Sequence, residues 1–121
     1  EPAMTDPDDV AVLLYTSGTT GRPKGVVTTH ANIGAQIASL VSAWGWTSRD
    51  RFLLALPLFH VHALGNGLHA WLLSGCRMRL LERFEQQKTM GEFVDFRPNL
   101  FFGVPTMYVR LLADGWIRAD R

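Results

Sequence analysis

Short apolar runs alternate along this chain with longer segments in which apolar residues recur every three or four positions. The runs are typical of buried strands, and the recurring segments are typical of helices with one face on a core. Predicted strands occupy residues 10–15, 25–29, 52–56, 78–81 and 100–104. Predicted helices occupy residues 31–44, 64–72, 90–94 and a segment that begins at Pro105. Trp44 lies on the core-facing stripe of the first helix and Leu72 on that of the second, which Gly75 is expected to end. This alternation favours an α/β fold with helices packed on a mostly parallel sheet, and we interpret residues 1–121 as one subdomain.

The composition excludes several classes of protein. Of the 121 residues, 47% are hydrophobic and 19% are charged, which is typical of a globular chain. The 12 basic and 11 acidic residues are spread along the sequence, so no basic surface for nucleic acid or an anionic membrane is expected. The longest apolar stretch, residues 52–59, contains Pro57 and is too short to span a bilayer. The single cysteine, Cys76, excludes an intrachain disulfide and fits a reducing compartment, so we expect a cytoplasmic protein.

The segment from Thr16 to Gly25 concentrates phosphate-binding chemistry between the first two predicted strands. Its three glycines permit backbone conformations in which N–H groups converge, while four hydroxyl side chains and Lys24 add donors and a positive charge. This set suits a polyphosphate. A flexible linker is the alternative, but linkers seldom place Pro-Lys-Gly directly before a β-branched strand. The spacing differs from that of the nucleotide P-loop, and there is no Gly-x-Gly-x-x-Gly for a dinucleotide.

Three motifs extend this interpretation to a family. They read YTSGTTGRPKG at residues 15–25, LPLFHVH at residues 56–62 and FGVPTMY at residues 102–108. In order and rough spacing they resemble the adenylate-forming superfamily, which contains acyl-CoA synthetases, luciferases and the adenylation domains of peptide synthetases. Within it, the chain is most similar to malonyl-CoA synthetases and related short-chain acyl-CoA synthetases. The resemblance implies an internal fragment of a large N-terminal AMP-binding domain, with the C-terminal domain absent.

The resemblance implies a ligase reaction in two steps. ATP with Mg²⁺ activates a small carboxylic acid as an acyl-adenylate, and the thiol of coenzyme A then displaces AMP to give a thioester. Most contacts to Mg²⁺ and coenzyme A are expected outside these residues, and we expect the 121 residues alone to be inactive. Two alternatives remain open, namely an adenylation domain that delivers to a carrier protein and a non-catalytic nucleotide-binding module.

Residues 15–25 take the role of the phosphate-binding loop in this resemblance. The residues implied at the β- and γ-phosphates of ATP are Thr16, Ser17, Gly18, Thr19, Thr20, Gly21 and Lys24. Lys24 does not correspond to the family's adenylation lysine, which lies near the end of the C-terminal domain. We therefore expect Lys24 to bind phosphate and not to be that catalytic lysine.

Two histidines, His60 and His62, follow Pro57 with one residue between them. In an extended segment their side chains point the same way, which suits a zinc ion, but no further ligand has a recognisable spacing, and we predict no metal site. Hydrogen-bonded structural histidines are a second interpretation. The resemblance implies a third, in which His60 is catalytic at the mouth of the acyl pocket, near the carboxylate and the α-phosphate, and His62 lies beside the acyl group. Ala63 stands where the related synthetases usually have glycine.

Arg110 lies in the last predicted helix, two positions after Tyr108 and among apolar residues. Malonyl-CoA synthetases have an arginine here, which implies that Arg110 binds the second carboxylate of a dicarboxylic acid. A guanidinium can hold a carboxylate through two hydrogen bonds. The alternative is a solvated arginine whose stem covers apolar surface, which favours a monocarboxylic substrate.

The other large apolar side chains are interpreted as core. These are Phe52, Trp71, Met90, Phe93, Phe101, Phe102 and Met107. Cys76 has no basic neighbour in sequence and is interpreted as a small buried hydrophobe. A sheet taken from a larger one exposes an edge strand and apolar faces, so we expect the isolated fragment to self-associate.

Overall fold

The computed structural model describes residues 4–17 and 21–113. Strands β1 (Val10–Thr16) and β2 (Lys24–Thr29) precede helix α1 (His30–Trp44) and strand β3 (Arg51–Leu54). A π-helix (His62–Leu68) continues into α2 (His69–Ser74), which precedes strand β4 (Arg77–Leu80). The remaining elements are α3 (Gln86–Asp95), β5 (Leu100–Phe102) and α4 (Pro105–Ala113). Each predicted strand is present within a few residues of its predicted bounds.

Three of the strands form a parallel sheet in the order β4-β3-β5. Phe52 of β3 lies opposite Met78 of β4 and Leu100 of β5. The position of β3 at the centre follows from its sequence, because the apolar run of residues 52–54 is fully buried. The predicted α/β class with parallel pairing is thereby confirmed. Strands β1 and β2 form a separate antiparallel hairpin.

The two faces of β3 pack into two different apolar clusters. Phe52 and Leu54 belong to one cluster together with Ile37 of α1. Leu53 belongs to the other, against which Phe93 of α3 packs. Because successive side chains of a strand point to opposite faces, β3 needs a helical layer on each side. The parallel sheet is therefore covered by α1 and α2 on one face and by α3 on the other.

Most of the side chains predicted for the core lie there. Met90 and Met107 are buried, and Cys76 is a buried free thiol. Burial raises the pKa of the Cys76 thiol, which fits a small hydrophobe better than a nucleophile. Trp44 was predicted on the core stripe of α1, and this was wrong, because the side chain is 51% exposed. Its ring instead lies 5.3 Å from that of Phe102, on the edge strand β5.

Local sequence fixes both ends of helix α1. Thr29 Oγ1 accepts a hydrogen bond from the N–H of Asn32 (3.2 Å), and Asn32 Oδ1 accepts one from the N–H of Thr29 (3.1 Å), which is a capping box. Gly45 ends the helix with a φ of 65°. At 15 residues α1 is the longest described helix, and none in the described ranges is long and apolar enough to cross a membrane.

The segment predicted as one helix over residues 64–72 contains two kinds of helix. Residues 62–68 form the π-helix, and α-helical geometry begins only at His69. Apolar spacing of three and four does not reveal the extra residue in a π turn. Leu72 was also predicted on the buried stripe, but it is 61% exposed. Gly75 ends α2 with a φ of 67°, as predicted.

Hydrogen bonds tie the strands together at the amino end of the parallel sheet. The side chain of Asn99 accepts from the N–H of Arg51 (2.7 Å) and donates to Asp50 Oδ1 (2.7 Å). Asp50 Oδ2 accepts from the N–H of Thr47 (2.6 Å). The Thr47 N–H, followed by the Asn99 amide, lowers the pKa of Asp50. This network stabilises the end of the sheet where the strands begin. The opposite end, where the strands finish, is not occupied by it.

Candidate functional site

The β1-β2 hairpin presents the predicted phosphate-binding loop. Thr16 and Lys24 are partners across the hairpin, so the two ends of the loop are held side by side. Gly21 has a φ of 80°, which a side chain would disfavour. Gly18, Thr19 and Thr20 lie outside the described residues. Thr16, Ser17, Gly21 and Lys24 are exposed, as a loop that receives a ligand requires.

The chemistry of these residues fits a polyphosphate. Thr16 and Ser17 offer exposed hydroxyl groups, and Lys24 forms no ion pair with any described residue. No acidic residue occurs in the sequence between Asp9 and Asp50, so the loop and its flanks carry no carboxylate to repel an anion. For the same reason this stretch supplies no carboxylate ligand for Mg²⁺.

A crevice lies at the carboxyl ends of the two neighbouring parallel strands β3 and β5. The chain continues from β3 into the π-helix and α2, which pack on the α1 face of the sheet. From β5 it continues into α4, which packs against α3. Adjacent parallel strands whose continuations diverge in this way open a crevice between their carboxyl ends, where α/β proteins commonly bind ligands.

The crevice is an open depression of about 250 Å³, and both histidines that were predicted as site residues line it. It is lined by Leu56, Pro57, His60, Val61, His62 and Val104. His60 is exposed, with its ring 4.6 Å from that of Phe59. His62 is half-buried and stacks on Phe102 of β5 at 5.6 Å between ring centroids. The structure therefore brings His60 and His62 together on one wall and places Val104 in the same lining.

Two other interpretations of these histidines are a zinc site and structural residues held by hydrogen bonds, and the structure bears on both. In the described part of the chain, no three His, Cys, Asp or Glu side chains lie close enough together to hold a metal ion. Neither His60 nor His62 forms a side-chain hydrogen bond to another described residue. Both imidazoles are thus held by ring contacts and by the backbone, with nitrogen atoms left for a ligand.

Arg110 lies on α4, outside the lining of the depression. Its backbone oxygen accepts a hydrogen bond from Gln86 Nε2 (2.7 Å), which joins α4 to α3. The residue is exposed, and its guanidinium forms no ion pair with a described residue. The structure does not bring Arg110 into contact with His60 or His62, and its role toward a second carboxylate remains a prediction.

Tyr108 has a role in the site that sequence reasoning did not find. Its hydroxyl accepts a hydrogen bond from the N–H of Gly103 (3.1 Å) and donates one to the carbonyl oxygen of Phe101 (3.4 Å). A Cβ on Gly103 would lie 3.2 Å from the Tyr108 ring, so the glycine permits this approach. The tyrosine thereby fixes the turn that carries Val104 into the depression. The sequence places both residues five positions apart in the FGVPTMY motif, but the motif does not show that they bond.

A hairpin with a glycine-rich hydroxyl loop, and a histidine pair at the carboxyl ends of a parallel sheet, are the two features expected of the adenylate-forming class. The family model for the AMP-binding enzyme matches residues 1–120, and the chain belongs to this family. The recognition made from the three sequence motifs is confirmed.

Named proteins within the family are similar to this chain. A malonate–CoA ligase of Arabidopsis thaliana is 44% identical over 115 residues, which cover 87% of this chain and 19% of that protein. The crystal structure of apo MatB from Rhodopseudomonas palustris is 34% identical, with a TM-score of 0.85, covering 93% of this chain and 22% of that one. A malonyl-CoA ligase structure with methylmalonyl-CoA and AMP bound is 41% identical, with a TM-score of 0.81, covering 91% and 24%. The chain therefore spans about a fifth of the length of its relatives.

Proposed function

We propose that the protein containing this chain is an ATP-dependent acid:CoA ligase that activates a carboxylic acid as an acyl-adenylate and transfers the acyl group to coenzyme A. The single observation that carries the proposal is that one chain contains both an exposed loop with phosphate-binding side chains, on the β1-β2 hairpin, and a histidine-lined depression at the end of β3. Membership of the AMP-binding enzyme family supports it, as does the similarity to a named malonate–CoA ligase. A reducing compartment such as the cytoplasm is proposed, since the one cysteine of these 121 residues is a buried free thiol.

The loop would meet the electrostatic difficulty of the first step. A carboxylate must approach an α-phosphate that already carries negative oxygens, and further charge gathers on the departing pyrophosphate. Thr16, Ser17 and Lys24 would donate hydrogen bonds to the β- and γ-phosphates, together with Gly21 and the loop residues 18–20. Lys24 adds a positive charge without a competing ion pair among the described residues.

The depression would orient the acid. His60, at its exposed side, would donate a hydrogen bond near the reacting carboxylate and the α-phosphate, where negative charge develops. His62, stacked on Phe102, would line the space beside the acyl group. Mg²⁺ would neutralise phosphate charge, and coenzyme A would supply the thiol; residues outside this chain would hold both.

Malonate is the substrate we propose first. The named relatives include a malonate–CoA ligase, and Arg110 offers a guanidinium without an ion pair to any described residue. In the complete protein Arg110 would bind the second carboxylate of the acid. A monocarboxylic acid is the proposed substrate if Arg110 faces solvent there.

The test is acid-dependent release of pyrophosphate from ATP by the complete natural protein. Malonate, methylmalonate, butyrate, octanoate and benzoate are offered in parallel, with and without coenzyme A. We expect release with malonate and formation of the thioester, and Lys24→Ala should lower kcat/KM for ATP about 100-fold. Lys88→Ala is the matched control, since Lys88 is an exposed lysine of α3. Absence of release with every acid would refute the proposal, and a Lys24→Ala variant as active as Lys88→Ala would refute the phosphate-binding role of Lys24.

A further inference from the structure

The π-helix touches the parallel sheet through small residues. Ala63 and Gly67 are its buried members. A Cβ added to Gly67 would lie 3.2 Å from Leu54 Cδ1 and 3.4 Å from Phe52 Cζ, so the π-helix backbone packs directly on the side chains of these two β3 residues. A smooth contact of this kind fixes the distance between the helix and the sheet. It provides few interlocking side chains that would fix the rotation of the helix about its axis.

The opposite side of the π-helix faces a second cavity, of about 110 Å³, between the hairpin, α1 and the π-helix. It is lined by Val12, Leu14, Thr28, Ile33, Gln36, Phe59, Val61, Leu64, Gly65 and His69. Side chains that border a cavity lose attractive contacts on that side. At this cavity, packing against α1 therefore constrains the orientation of the π-helix less than close packing would.

One hydrogen bond crosses from α1 to the π-helix at this place. Gln36 Nε2 of α1 donates to Asn66 Oδ1 of the π-helix at 2.7 Å. In the described ranges it is the only side-chain hydrogen bond between these two elements. Asn66 lies four positions after His62, so the two residues are neighbours along one side of the helix.

We propose that Gln36 is a positioning residue, which holds Asn66 and thereby the rotation of the π-helix that points His62 into the depression. The inference rests on the proposed function and deepens it, because His62 is proposed to line the acyl space. Gln36 lies in the lining of the second cavity and not in that of the depression, so it acts through Asn66. Its contribution should appear in the affinity for the acid and not in that for ATP.

The test uses the complete protein with Gln36→Met, which keeps the length of the side chain and removes the donor. We expect KM for the acid to rise about fivefold, the effect of one hydrogen bond, while KM for ATP stays within twofold. Gln36→Glu should restore most of the affinity, because the Asn66 amide can turn over and donate to the carboxylate. Gln87→Met is the matched control, since Gln87 is an exposed glutamine of α3.

The proposal is overturned if Gln36→Met leaves KM for the acid equal to that of Gln87→Met, whether or not its melting temperature falls. A wild-type protein without acid-dependent pyrophosphate release would instead refute the proposed function. In that case the imidazole NMR resonances of His62, assigned with a His62→Gln variant, decide the positioning role. A shift in Gln36→Met that is absent in Gln87→Met would support it, and unchanged resonances would overturn it.

Discussion

The imidazole of His62 stacks on the ring of Phe102, with 5.6 Å between the centroids and 27° between the planes. Phe102 in turn contacts Trp46 and Phe52, which are both buried in the core on the α1 face of the sheet. A side chain proposed to touch the substrate is therefore held by the rigid centre of the fold. Replacements in this aromatic cluster should affect stability and the site together.

Phe102→Leu should free the His62 ring while keeping an apolar side chain in the core. We expect a loss of roughly 1 to 2 kcal/mol in the free energy of unfolding, from lost ring contacts, and a higher KM for the acid. Phe93→Leu is the control, because Phe93 of α3 packs on the other face of the sheet, in the cluster around Leu53. It should cost similar stability in denaturant titrations and leave KM unchanged; equal kinetic effects of both variants would contradict the stacking role.

Tyr108→Phe removes only the hydroxyl that joins the N–H of Gly103 to the carbonyl of Phe101. We expect the free energy of unfolding to fall by about 1 kcal/mol, since the Gly103 N–H loses its partner. Tyr15→Phe provides the comparison, because Tyr15 is 71% exposed and its hydroxyl bonds to no described residue. Equal unfolding midpoints for the two variants would show that the turn before α4 does not depend on the hydroxyl.

Gly67→Ala should show how closely the π-helix rests on β3. The added methyl group would lie 3.2 Å from Leu54 Cδ1 and must displace it, so we expect a loss of about 1 to 3 kcal/mol. Gly34→Ala in α1 meets no atom within 4 Å and should stabilise the helix by up to about 1 kcal/mol. Opposite signs for the two substitutions in thermal unfolding are the expected result, and a neutral Gly67→Ala would contradict the close contact.

The hydrogen bonds of Asp50 predict a pH dependence of stability. The Thr47 N–H and the Asn99 amide lower the pKa of Asp50 in the folded state, so its stabilising contribution is present above the unfolded pKa near 3.8 and is lost as the pH falls through the lower, folded pKa. Asp50→Asn should therefore cost about 1 kcal/mol at pH 7 and progressively less below pH 4. Urea titrations at several pH values measure this, with Asp95→Asn as the control; a pH-independent difference would be contrary to expectation.

The isolated fragment is expected to self-associate through the outer face of the hairpin. Leu13 and Val27 are partners across it, and Tyr15 lies two positions along β1 on the same face; all three are 48 to 71% exposed. We expect a dimer or larger species in light scattering, and Val27→Lys should convert it to a monomer. Val94→Lys, at an exposed valine of α3, is the control. A monodisperse wild-type monomer would contradict the prediction.

Much of the fold could be predicted because the relevant signals are local. The Thr29 and Asn32 capping pair, the terminal Gly45 and the apolar run of β3 each act within a few neighbouring residues. Trp44 was misplaced because the spacing of α1 says only which side chains share a stripe. Whether the sheet covers the end of that stripe depends on the edge strand β5, which follows Trp44 by more than fifty residues.

The order of strands and helices, the glycine, hydroxyl and lysine content of residues 16–25 and the family could all be read from the chain before it folds, because backbone preferences and family motifs are contained in short, contiguous segments. The π-helical form of residues 62–68, the stacking of His62 on Phe102 and the hydrogen bond from Gln36 to Asn66 became visible only in the folded chain. These features join residues 30 or more positions apart, or reflect the contact of a helix with a sheet. They are fixed by close packing of the folded chain, which local preference does not encode.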